Sequence, residues 1–177
     1  MATNTHVSEI SLIDRLRGVL LLDRPTYEAI GADPRALPQA FGIVVAASIA
    51  NGIANTPEGG FGLVGGFLQM AVGFVLMSVA IWLLGIVLTP EADKITLVRI
   101  LSTLGFAAMP VVFYAVTPIP VLGMILNFAA SIWALLTAVT AVSVAVHIST
   151  AKALATLIGG AIIAGIGIYV LIVPLFG

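Results

Sequence analysis

Few residues in this chain have the type and spacing to do chemistry. The two histidines, His6 and His147, stand far apart, and no serine–histidine pair recurs at a spacing that would set a nucleophile against its base. Paired intramembrane aspartates and a His-based zinc motif are missing from the pattern. Asp93 has only Glu91 beside it, too few carboxylates for metal-assisted transfer to a lipid head group. No glycine-rich loop precedes a lysine at phosphate-binding spacing. With no cysteine, there is no thiol nucleophile, thiolate ligand or disulfide. The expectation is a protein that is not an enzyme and carries no catalytic residues, metal or cofactor.

What remains are residues suited to contact. Asn51, Gln69, Ser102, Thr103, Asn127, Ser131, Thr137, Thr140 and Ser143 lie within apolar stretches. Such groups bond between helices, for about 0.6 kcal/mol each, or line a narrow path for a neutral solute. Gly62 and Gly66 are four apart, as are Gly160 and Ala164, and Ala161 and Gly165, which sets small residues on one helix face for close packing or self-association. Pro110 interrupts an apolar stretch and predicts a kink with freed carbonyls that nearby polar groups would use. Trp82 and Trp133 fall inside long apolar stretches and read as packing residues. Arg15, Arg17, Arg99 and Lys152 are the candidate contacts to lipid head groups or partner proteins.

The elements that must position these residues are membrane spans. The chain of 177 residues is 60% hydrophobic and 8% charged, with a mean hydropathy of +1.20. A soluble domain carries about 25% charged residues. A net charge of −1 offers no basic surface for nucleic acid. Five spans are expected, over Leu37–Ala54, Phe61–Leu88, Leu97–Val116, Ile119–Val146 and Ala153–Phe176. A helix needs about 20 residues to cross roughly 30 Å of hydrocarbon, so the second and fourth have residues to spare. The first is short, and a four-span layout without it is the competing arrangement. Turn residues from Asn55 to Gly60, charges from Thr89 to Lys94, Thr117–Pro120 and His147–Thr150 mark the breaks.

All seven cations, Arg15, Arg17, Arg24, Arg35, Lys94, Arg99 and Lys152, then fall on one side. The positive-inside bias makes that side cytoplasmic and places the C-terminus outside. The short run Val19–Leu22, followed by Asp23–Arg24–Pro25, does not read as a cleaved signal peptide. Ser8–Leu22 has helical periodicity, with Leu12, Ile13, Leu16, Val19 and Leu20 on one face and Asp14, Arg15 and Gly18 opposite. This amphipathic helix is expected either in the head-group plane or packed on the bundle. Pro25 ends it, and Asp33–Pro34 reads as the cap that opens the first span. The chain therefore divides into a cytoplasmic tail, 1–36, and a transmembrane domain, 37–177.

Residues 95–104 and 148–157 resemble one another at an offset of 53, pairing Arg99 with Lys152. They read either as a repeat of two parallel hairpins or as two ordinary span starts. The stretch from Arg99 to Pro110, followed by a tryptophan-containing span and then His147–Leu154, resembles the Yip1 family from about Leu22 to the end. The resemblance implies five transmembrane helices with a cytoplasmic N-terminus. Eukaryotic members act in vesicle trafficking, bind small GTPases and are linked to membrane shaping. They carry a longer N-terminal region with an Asp-Leu-Tyr-Gly-Pro motif that is lacking here, which counts against small-GTPase binding. The short tail is similar to that of bacterial members and points to a bacterial cytoplasmic membrane. The expected role is organising membrane lipid or partner proteins, including other copies of the chain; the alternatives are a small transporter or channel for a neutral solute, or an accessory subunit of a membrane complex.

Overall fold

The structure is a computed structural model that describes residues 11–56, 60–89 and 95–171. Lys94, Glu58, Glu91, Asp93, His6, the start of the tail helix at Ser8 and the end of the last span at Phe176 lie outside the described residues. Two short helices, α1 (Leu12–Leu20) and α2 (Arg24–Ala32), precede α3 (Ala36–Ala54) and α4 (Gly60–Leu88). The third span is split into α5 (Leu97–Ala107) and a 3-10 helix (Met109–Val116), and α6 (Leu122–Ala145) and α7 (Thr150–Leu171) complete the chain. Five segments are long and apolar enough to cross a membrane, the first of them included. The protein is an all-helical membrane protein. Successive spans alternate in direction, so α1 and α2 share one face with the ends of α4 and α6; this is the N-terminal face.

The tail holds two helices, not one. Ser11 caps α1 by accepting the Asp14 N–H, and Asp23 caps α2 by accepting the Thr26 N–H. Pro25 sits in the first turn of α2, where its missing donor costs nothing, so it starts a helix instead of merely ending one. Asp33 does not cap α3: it closes α2, and its carboxylate accepts the Arg35 N–H at 2.9 Å. Between α1 and α2 the chain turns at Leu22, which has φ +58°, and the Asp23 N–H returns to the Gly18 carbonyl at 2.9 Å. The turn from α6 to α7 is built alike, with His147 at φ +56° and the Ile148 N–H on the Ser143 carbonyl at 3.1 Å.

Pro110 does more than kink the third span. It has no N–H for the Phe106 carbonyl, and beyond Ala108 the backbone tightens, with the Val111 N–H bonding the Ala108 carbonyl. The Ala107 carbonyl thereby loses its α-helical donor and receives the Thr137 hydroxyl from α6 at 2.8 Å. Thr137 is fully buried. Asn127 donates to Thr117 Oγ1 at 3.0 Å and Ser131 bonds Tyr114 at 2.7 Å, so α6 holds the 3-10 helix along its length.

Packing density differs between the two halves of the bundle. On the N-terminal side one apolar core joins Val19, Tyr27 and Ile30 of the tail helices to Ile81, Ile100, Phe106, Val142 and Val146 of the spans. The tail and the spans thus share a core. Towards the opposite face the main cluster shrinks to Val44, Ala47, Ala108 and Val111, beside a cavity of about 480 Å³. Glycines set the close crossings. A Cβ on Gly105 would lie 2.7 Å from Ala40 Cβ, one on Gly66 2.9 Å from the Asn51 carbonyl, and one on Gly160 3.0 Å from Met77 Sδ. Gly66 and Gly160 therefore join α3 to α4 and α4 to α7; Gly62 is partly buried in the first turn of α4, and Ala164 is buried.

Candidate functional site at the N-terminal face

Helix α1 is rolled against the pattern of its sequence. The residues it buries are Arg15, Gly18 and Val19, two of them from the polar face. Gly18 permits the close crossing: a Cβ there would stand 2.2 Å from Thr26 Oγ1 of α2. Ile13 is 76% exposed and Leu21 67%, with Leu12 also exposed. In water this orientation would waste apolar surface; at a bilayer it puts that surface into hydrocarbon. The far end of α1 reaches Trp133, halfway along α6, whose indole N–H donates to the Leu20 carbonyl at 3.0 Å. That carbonyl belongs to the last turn of α1, which has no partner within its own helix. Trp133 is thus more than a packing residue, whereas Trp82 does pack on the core.

The candidate cations divide into three kinds. Arg15 turns inward, ion-paired with Asp33 and donating to Gln39 Oε1 at 3.3 Å. It ties α1 to the start of the first span and faces protein, not a head group. The Arg15 hydrogen bond, with the Arg35 N–H beside it, holds the Asp33 carboxyl below the usual carboxylate range. Arg17 and Lys152 are exposed, and neither side chain has a hydrogen-bond or ion-pair partner among the described residues. Arg99 is half-buried. Its stem covers Gly31 of α2, its Nη2 points at the Val144 carbonyl at 3.4 Å, and its Nε is buried without a partner.

Arg24 belongs with Arg99, a grouping sequence reasoning missed. Its Nη2 donates to Ser143 Oγ at 3.1 Å, next to the residue that receives Arg99. The Ser143 hydroxyl in turn donates to the Ile148 carbonyl at 2.8 Å. Two guanidinium groups thus converge on the C-terminal end of α6, where the helix dipole favours positive charge. Among the described residues neither has a carboxylate partner. The available signal was Arg24 opening a helix behind the Asp23 cap. Arg17 and Arg24 also line a shallow cleft with Asp14 and Asp23, whose carboxylates are already engaged by capping bonds.

The paired stretches around Arg99 and Lys152 match locally and diverge in surroundings. Thr96 accepts the Arg99 N–H at 3.2 Å, and Ser149 accepts the Lys152 N–H at 3.5 Å. Thr103 donates back to the Arg99 carbonyl and Thr156 to the Lys152 carbonyl. Yet Arg99 lies against α2 while Lys152 projects freely. Most of the intramembrane polar residues make bonds inside the bundle, and of those singled out in the sequence only Asn51 and Gln69 line the large cavity. Among the described residues no group of three histidines or carboxylates is placed to hold a metal.

These features define a class: a multi-pass helical membrane protein with a helical hairpin docked on one face of its bundle. The model of the Yip1 domain matches residues 18–172, from the last turn of α1 through the spans, and the chain belongs to the Yip1 family. No curated protein and no solved structure gives a match.

Proposed function

We propose that this integral membrane protein organises the leaflet at its N-terminal face, acting as a non-enzymatic shaping or scaffolding element for lipid and for partner proteins. The carrying observation is the outward apolar face of α1, with Ile13 and Leu21 exposed beside Arg17. Side chains inserted on one side of a bilayer spread its head groups, and neighbouring cations draw anionic lipid. Arg17, Arg24, Arg99 and Lys152 supply those cations. The positive-inside rule makes this face cytoplasmic.

The test uses purified protein in vesicles containing anionic phospholipid, imaged by electron microscopy. Wild-type protein is expected to narrow or tubulate the vesicles. Ile13→Glu combined with Leu21→Glu is expected to abolish this while preserving the melting temperature, since both side chains are exposed. Vesicles indistinguishable from protein-free controls at every protein density would sink the reading.

A further inference from the structure

The cavity on the far side of the bundle is lined by residues of all five spans. Its walls are methionine, phenylalanine, aliphatic and small side chains, with Asn51 and Gln69 the two polar exceptions. At its mouth Gln69, Ala161 and Gly165 are exposed, on helices whose outer surfaces face hydrocarbon. A Cβ on Gly165 would meet nothing within 4 Å, in contrast to the tight contacts at Gly160. The Asn51 amide N–H is engaged by the Gly66 carbonyl at 2.8 Å. Gln69 has no hydrogen-bond partner among the described residues.

The cavity's shape and chemistry select an occupant. Along α7 it runs from Ile168 to Leu157, and along α4 from Gln69 to Met77. At 1.5 Å per residue these are lengths of about 16 and 12 Å. One leaflet of hydrocarbon is about 15 Å deep. A column of water would require two to four polar partners per molecule, far more than two amides supply. At about 480 Å³ the cleft has room for a ligand of that size. An amide left unpaired in hydrocarbon is costly, so a carbonyl beside Gln69 would be held firmly. Gln69 lies nine residues into α4 from the face opposite the hairpin, about 13 Å along the helix. Counted from Leu88 at the other end it lies about 28 Å along α4, so with Leu88 at one edge of the roughly 30 Å of hydrocarbon the amide falls near the opposite edge, the level of lipid ester groups.

We propose that this cleft holds one acyl chain of a phospholipid from the leaflet opposite the α1–α2 hairpin, with the Gln69 amide donating to the chain's ester carbonyl. The site is separate from the leaflet-organising face, and either assignment stands without the other.

The test is photolabelling of the full-length protein in phospholipid vesicles. The probe is a phosphatidylethanolamine with a diazirine midway along one ester-linked chain. Adducts are expected to concentrate on 69–77 and 157–168, and to be lost from both in Gly165→Leu, which fills open space. Ala161→Leu, one turn earlier at the same mouth, decides the matter if the first variant fails to melt cooperatively. An ether-linked probe is expected to label wild type less than the ester probe and to label Gln69→Leu as well as the ester probe does. Adducts spread evenly over the exposed faces of α4, α6 and α7, or cleft labelling unchanged by both filling variants, would overturn the chain site. Equal labelling of wild type by the two probes would overturn the role of Gln69.

Discussion

At the scale of single residues, the hairpin depends on one ion pair and one glycine. Asp33 has its pKa lowered by the Arg15 hydrogen bond first and the Arg35 N–H second. The unfolded carboxyl therefore takes up a proton before the folded one does. The pair's contribution is complete above the unfolded value of about 4 and disappears as pH falls through the lower folded value. Hydrogen exchange across residues 12–32 is expected to accelerate in that acid window, and Asp33→Asn to be fast and flat across it. Tyr27 gives the mirror case in alkali. Its buried hydroxyl donates to the Val19 carbonyl, and burial pushes its pKa up, so the folded state loses ground once the unfolded phenol ionises above about pH 10. Gly18→Ala drives a methyl into Thr26 and is expected to cost about 1–3 kcal/mol, read as a lower melting temperature in detergent.

At the scale of elements, the break in the third span is held by a hydrogen bond from another helix. Thr137→Val removes the hydroxyl that bonds the Ala107 carbonyl and is expected to cost about 0.6–1.7 kcal/mol in melts. Pro110→Ala returns a donor to the backbone and lets the α-helical ladder continue, so the double variant should lose less than the two single effects combined. Span positions were legible in the amino-acid sequence because apolar length alone decides whether a segment crosses. The freed carbonyl was legible from Pro110, but its partner, 30 residues away, was not. Helix α2 went unread because Asp23 and Pro25 can equally end one helix or begin another. The inward turn of Arg15 had no local signature, since Asp33 meets it only after α2 has formed. The cavity lies among residues of five spans far apart in sequence, a juxtaposition that no periodicity encodes.

At the scale of the whole molecule, the alternation of spans makes a direct prediction. The chain has no cysteine, so single replacements report without background. His147→Cys and Val121→Cys, both exposed in turns at opposite ends of α6, are expected to react with an impermeant thiol reagent from opposite sides. In intact cells, reaction at position 121 and protection at 147 is the outcome that the cytoplasmic placement of the hairpin requires. The docking of that hairpin also carries a consequence for biosynthesis. Arg24 bonds Ser143, and 119 residues separate them. At roughly 5–20 residues per second, a ribosome takes on the order of 10 s to make the second after the first. Until α5 and then α6 have been made, the first helices to emerge lack the spans they rest on, so they must wait on the membrane surface or in a chaperone's grip. Closure of the N-terminal face is therefore among the late events of assembly, and a nascent chain arrested before α6 would display its tail without the bonds to Trp133 and Ser143 that complete the docking.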